Sequence, residues 1–590
     1  MMRPIESCER TTTLHARATR LASVMSLCAT VSLAVGCTGT VAGDQPGPGN
    51  TGAPGGSSSG GAGQGTGAQS GDPYAVPATP PASVLVQAPR LARLSRLQWS
   101  NSVRNLLKLT DIAEIDSGVS GDALIGFDNQ ADALYVTEQL RQQFAEAAEK
   151  LADKVTADPT VLASLVPADA PADLPGRARA FITTFGLRAF RRPLTEAEVT
   201  SHLALFNQGP TLYAGVDPFK AGVSLVIQAM LQSPYFLYRT ELGGAASAGK
   251  VPLTDYEVSA KLAFATTNTM PDDELFTAAA AGQLHDPVGV AAQARRLMDG
   301  PRGTVGLNNF NFQVYRLGTY DGITRDPAVF PDFSPNTPAA MRQEALQFFD
   351  WIFTQSKGVK DFYTAPVGFV NSALAPLYGV TSPGAGDTLT KVDLDPSQRS
   401  GLLTQPGFLS SYITGDDPDI IHRGVFIATR LLCLELPPPS PKATALIELQ
   451  PNMSNRERVE MTTGKGTCGE ACHAALFNPL GYAFENYDAI GKYRTTDHSK
   501  PVDAADSYTL DGELKSFTNG VELSHLLGEA KQTHSCYVQN MMSYLNGRLL
   551  APEEQSTVDY YARLSRAGMV SLHDLELDIV TSDAFLNRLP

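Results

Sequence analysis
The sequence predicts a mainly α-helical body of several segments with a small C-terminal β element, preceded by a signal and a disordered linker. Three observations carry that prediction. Helix-start signals recur through the body, an apolar stripe at helical spacing runs from Gln139 to Val155, and one stretch near Tyr508 alternates as strands do.

In chain order, residues 1–36 read as a signal peptide. Arg3, Arg10, Arg17 and Arg20 form its basic start, and residues 21–35 are an uncharged, mostly apolar run too short to span a bilayer. The run ends in Leu33-Ala34-Val35-Gly36-Cys37, where a small residue before cysteine resembles the bacterial lipobox and Ala34 stands in the usual place of leucine. Cys37 is therefore the expected lipidation site. Two or three acyl chains on it would anchor the chain stably, whereas one chain binds only marginally. The expected location is exported, as a periplasmic or cell-surface lipoprotein of the outer membrane. Residues 37–89 hold the anchor cysteine and a Gly/Ser/Pro-rich linker with almost no large apolar side chains. Such a segment cannot offset its ordering entropy by burial, and as a coil it reaches roughly 40 Å. Gly61-Ala62-Gly63 is linker composition rather than a phosphate loop, because it follows no strand and opens no helix.

Helices are expected after Ser95, Thr195 and Thr254, each followed three residues on by Gln98, Glu198 or Glu257 in the pattern of a capping box. Asp286-Pro287 and Gly300-Pro301 bracket another helix. Leu140, Phe144, Ala147, Ala148 and Leu151 form one apolar face. Tyr508-Thr509-Leu510-Asp511-Gly512-Glu513-Leu514 alternates around Asp-Gly, which predicts a hairpin.

The formal net charge is -15 and no Lys/Arg-rich block occurs, which argues against nucleic acid as a partner. Trp99 and Trp351 are the only tryptophans, so flat platforms for sugars are few, although 19 tyrosines keep that option open. No run in the body reaches 18 apolar residues. Zinc-protease, phosphate-loop and Gly-x-Ser-x-Gly signatures are all missing, which disfavours the enzyme classes that rely on them and assigns no reaction.

Several separated motifs resemble one family. They are Arg93 to Leu107 with Gly126-Phe127-Asp128-Asn129; Arg188 to Thr195; Ser233 to Glu241 with Met270 to Leu275; Ile421-His422-Arg423-Gly424 with Leu432-Cys433 and Pro437 to Pro439; Asn478 to Asp488; and Gly547-Arg548. In this order they resemble the domain-of-unknown-function series 1587, 1595, 1592, 1588 and 1585 of large exported proteins of planctomycetes and myxobacteria. The resemblance implies segments at 90–160, 172–243, 250–382, 398–497 and 505–585. It also implies a cytochrome c-like character, because many members carry Cys-x-x-Cys-His before an Asp/Asn-Pro-Leu/Ile-Gly stretch. Some members carry polysaccharide- or cellulose-binding labels.

Of seven cysteines, Cys8 and Cys28 leave with the signal and Cys37 goes to lipid, so Cys433, Cys468, Cys472 and Cys536 remain. In an oxidising compartment these four allow two disulfides in three connectivities. Alternatively, Cys468 and Cys472 form thioethers to a haem c, His473 is the ligand to its iron, and Cys433 pairs with Cys536. Thioether attachment needs two thiols close in sequence and an adjacent histidine. Here three residues separate the cysteines, and on an α-helix positions i and i+4 share a face. The second iron ligand is undefined among Met453, Met461, Met541, Met542 and His498, or the position is open. A zinc site is the third possibility, disfavoured because oxidation removes thiolates.

Other candidates read as structural. Tyr482, Phe484 and Tyr487 are expected to pack. Asp416, Asp417 and Asp419 are expected in a solvated Asp-Pro turn rather than on calcium. Arg191 and Arg192 are expected to pair with nearby acids, and Arg423 to be structural. Two functional readings follow. One is an exported, membrane-anchored c-type haem protein that transfers electrons to a redox partner. The alternative is a non-enzymatic surface protein that binds polysaccharide or an envelope partner, with its cysteines in structural disulfides.

Overall fold
Ser95, Thr195 and Thr254 each close a capping box in the computed structural model, opening the helices Arg96–Leu107, Glu196–Phe206 and Asp255–Thr267. The structure describes residues 76–590 apart from 78, 123, 124, 385, 437–449, 451 and 468. The signal, Cys37, nearly all of the linker and Cys468 thus lie outside the described residues. The stripe at 139–155 lies on the helix Glu138–Ala157, which buries Leu140, Phe144, Ala147, Ala148 and Leu151. Asp286 caps Pro287–Met298 by accepting from the N–H groups of Val288 and Gly289. The Asp-Gly signal is a hairpin pairing Asp506–Leu510 with Glu513–Phe517. Its turn runs through Asp511 (φ 53°) and Gly512 (φ 81°), the two positive angles that a two-residue turn of this hand requires. Among the described residues the strands form six two-stranded antiparallel ribbons, and that hairpin is the longest.

The described residues fall in one compact unit with two large apolar cores. The first gathers Trp99, Phe144, Phe181, Ile227 and Phe236. The second gathers Phe310, Phe348, Phe349, Phe362, Phe408, Phe484 and Tyr544. The helix Asp255–Thr267 serves both: Val258, Leu262 and Ala263 enter the second core and Phe264 the first. Every residue from Val258 to Thr267 is buried, including Lys261, whose Nζ sits 3.0 Å from Glu241.

Two distant motifs meet beside this helix. Asn129 Nδ2 donates to the carbonyl of Tyr544 at 2.8 Å, and the Ala131 N–H donates to the carbonyl of Gly547 at 2.9 Å. Gly547 is left-handed (φ 64°), and a Cβ there would lie 3.2 Å from the Asn129 carbonyl, so glycine suits both the turn and the contact. A disulfide between Cys433 and Cys536, with Cα atoms 5.4 Å apart, closes a sequence separation of 103. In the chain-entropy account a loop of that order contributes about 4 to 5 kcal/mol. No helix among the described residues is long and apolar enough to cross a membrane.

Glu576 is fully buried on the helix Leu572–Val580, and neither of its carboxylate oxygens has a hydrogen-bond partner. Burial pushes its carboxyl up to about 8 from an ordinary 4.5. The folded state therefore holds a proton that the unfolded state releases. The resulting stability is complete below the unfolded pKa and is lost as pH rises towards the folded one. Parent protein should lose melting temperature between pH 5 and pH 8, and Glu576→Gln should lose several degrees less. Equal slopes in differential scanning calorimetry would remove Glu576 as the cause.

Candidate functional site
Ser454 caps the helix Asn455–Thr463 with a further capping box, and the chain then turns into Glu470–Phe477. This stretch carries Cys472 and His473 and is a π-helix, closed by i to i+5 bonds. Cys472 thus sits on a π-helical stretch, and the expected shared face of positions 468 and 472 lies outside the described residues. The segment 477–481 packs tightly against a neighbouring helix, Ile420–Phe426. A Cβ on Gly424 would lie 2.0 Å from the Phe477 carbonyl oxygen, and one on Gly481 would lie 2.0 Å from that of Ile420. Glycine at both places lets the backbones touch.

The His473 ring is half-buried, edge-on to Phe477 with centroids 5.6 Å apart. Its Nδ1 is buried without a hydrogen-bond partner. Burial, then the nearby charge of His422, lowers its proton affinity, so at neutral pH the imidazole is neutral and able to bind a metal. Cys472 is half-buried and packs with Leu476 against the larger core.

The floor beneath is held by Arg423, whose guanidinium is fully buried. It donates to the carbonyls of Leu409 (2.7 Å), Phe484 (3.2 Å), Asp488 (3.2 Å) and Tyr487 (3.4 Å). This is the structural role expected of it, and Tyr482, Phe484 and Tyr487 are buried packing residues as expected.

An ionic cluster adjoins this floor. Carboxylate oxygens of Asp417 and Asp497 and a ring nitrogen of His498 lie within 4.8 Å of one another. His498 Nδ1 is 2.9 Å from Asp497, and its Nε2 is 3.6 Å from Asp417. Arg494 contacts Asp497 at 2.6 Å and Glu485 at 3.2 Å, and Arg458 approaches Asp417 at 3.7 Å. Burial pushes the Glu485 carboxyl up to about 7 despite Arg494 and Arg423. Each aspartate already faces an arginine, and Arg494 is shared with Glu485. The solvated turn expected at 416–419 is corrected here. Asp417 is drawn into the cluster by pairing with Thr414 in a short ribbon. Asp419 caps Ile420–Phe426 and holds His422 Nδ1 at 2.7 Å. Residues 485, 494 and 497 left no periodic signal in the sequence, because turn and loop backbone and a two-residue strand, Thr496–Asp497, deliver them.

The five candidate second ligands separate clearly. Met541 and Met542 are sealed in the larger core, and both ring nitrogens of His498 face carboxylates. Met453 is half-buried, and Met461 is exposed on Asn455–Thr463.

Five family models, each described as a protein of unknown function, match the chain in succession. They are DUF1587 over residues 92–157, DUF1595 over 177–241, DUF1592 over 253–380, DUF1588 over 399–497 and DUF1585 over 513–585. The chain belongs to this DUF1587-to-DUF1585 multidomain family. No curated protein and no solved structure matches it. The DUF1588 domain, whose model is named PSCyt3, contains His473, Arg423 and the ionic cluster. The disulfide links it to the DUF1585 domain through Cys536.

Gly424→Ala should be costly, because its Cβ would meet the Phe477 backbone and overpacking typically costs about 1 to 3 kcal/mol. Gly322→Ala, where nothing lies within 4 Å, should be near neutral. Melting curves of the two variants check this, and a Gly424→Ala protein as stable as Gly322→Ala would refute the contact.

Proposed function
We propose that this protein is an exported, membrane-anchored c-type haem protein that passes electrons to a redox partner in the cell envelope. Cys468 and Cys472 would hold the haem by thioethers, and His473 would bind its iron. The observation that carries this reading is the Cys433–Cys536 disulfide. It commits two of the four cysteines of the mature body to each other and leaves Cys468 and Cys472 to one another or to a haem. A half-buried imidazole whose proton affinity is lowered by burial suits the donor set. The PSCyt3 name of the matching model agrees. A bound haem would supply a one-electron couple tuned by its axial ligands and burial. A sugar-binding surface has less support. Trp99 is buried, and Trp351 is half-buried with Lys357 and Lys391 5.0 and 5.5 Å from its ring.

Protein matured in a host with haem-attachment machinery should show a Soret band that survives denaturation. Cys468→Ala and His473→Ala should each lose most of it. A parent protein without the band, carrying a Cys468–Cys472 disulfide by mass spectrometry, would overturn the haem reading. Anchoring is tested separately: Cys37→Ser should move the protein from the membrane fraction to the soluble one, and unchanged fractionation would exclude lipidation.

A further inference from the structure
Arg191 lies far in sequence from the haem motif and is fully buried, with φ 57° at the end of the helix Leu174–Phe190. Its partner-in-sequence Arg192 pairs with Glu198 at 2.8 Å, as expected for this run. Arg191 does not. One terminal nitrogen donates to the carbonyls of Tyr235 (2.8 Å), Phe236 (3.0 Å) and Tyr238 (2.7 Å), and the other, NH1, has no partner. Behind it Arg239 and Lys261, both buried, share the single carboxylate of Glu241 at 3.9 and 3.0 Å. Arg191 itself has no carboxylate within ion-pair distance among the described residues, and its charged neighbour is Arg239. Phe264 lies 5.7 Å from the guanidinium carbons of both Arg191 and Arg239, and its ring face offsets only part of that charge. Uncompensated buried charge is costly, and an anion would relieve it.

A cavity of about 250 Å³ opens beside this charge, lined by Arg191, Arg192, Phe190, Tyr235, Tyr238 and Tyr256. The Arg192 guanidinium stacks 4.6 Å above the Tyr235 ring. Glu257 also lines the cavity, but its carboxylate accepts from the N–H groups of Leu242, Gly243 and Thr254. The space is below the several hundred Å³ usual for cofactors, so it suits an occupant of about one ring. Four aromatic walls favour a flat body, and the arginines favour a carboxylate. We propose that this cavity binds a small planar carboxylate, with its charge facing the Arg191 side and its ring between the tyrosines.

Calorimetric titration of the full mature chain with benzoate and with benzamide, its uncharged counterpart, tests this. Benzoate should bind about tenfold or more tightly than benzamide, the difference carried by charge-assisted hydrogen bonding. Tyr235→Ala removes an exposed ring while keeping the backbone carbonyl that Arg191 uses, and should weaken benzoate several-fold. Arg191→Gln should abolish binding if it folds. The benzoate–benzamide comparison and Tyr235→Ala decide the matter even if it does not. Equal affinity for the two compounds, no binding of either, or unchanged binding to Tyr235→Ala would each overturn the proposal.

Discussion
The helix Asp255–Thr267 has no solvent face beyond its first turn, and the rest of the structure is arranged around that fact. A helix buried all round must satisfy any charge it carries from within. Lys261 is that charge, and Glu241 meets it from the ribbon strand Tyr238–Thr240 and its continuation. Because Phe264 faces one core and Leu262 the other, the two cores share a wall and cannot be packed independently. The contacts of Asn129 and Ala131 with the end of the helix Lys531–Asn546 close the same junction from the other side.

The DUF1588 domain shows a second kind of constraint, backbone against backbone. Gly424 and Gly481 remove the side chains that would separate Ile420–Phe426 from the segment 477–481. The carbonyls left in irregular loops nearby need donors, and a fully buried arginine supplies several at once. Arg423 serves four carbonyls, and Arg399 serves those of Thr404, Leu377 and Gly491 in the same way. These arginines work as donors to the backbone of loops and short helices, which explains their burial without carboxylate partners. Arg191 differs because one of its terminal nitrogens is left over beside a cavity. The same residue type therefore marks both a finished structural site and an unfinished one. Hydrogen-bond accounting, more than burial, separates them.

The disulfide belongs to this picture as a cross-link between domains. It joins the end of the π-helical stretch Ile427–Leu431 to the helix Lys531–Asn546, so the DUF1588 and DUF1585 domains are covalently tied. His473 lies on another π-helical stretch of the same domain. Extra residues wound into a turn re-aim side chains away from α-helical spacing, which is why such turns are frequent at functional positions.

Local chemistry was legible in the amino-acid order. Capping boxes at Ser95, Thr195 and Thr254, the stripe from Leu140 to Leu151 and the Asp511-Gly512 turn depend on neighbours within a few residues, so their spacing determines them. The ordered motifs likewise sufficed to identify the family. Long-range outcomes were not legible in this way. Nothing near Asp417 in sequence announces Arg458 or His498, and nothing near Arg191 announces that Glu241 is already spent on Lys261. The pairing of Cys433 with Cys536 was one of several connectivities until the fold set their Cα atoms 5.4 Å apart. Propensity and capping act over one helical turn, whereas charge balance, cavity shape and cross-linking depend on which distant segments the cores bring together.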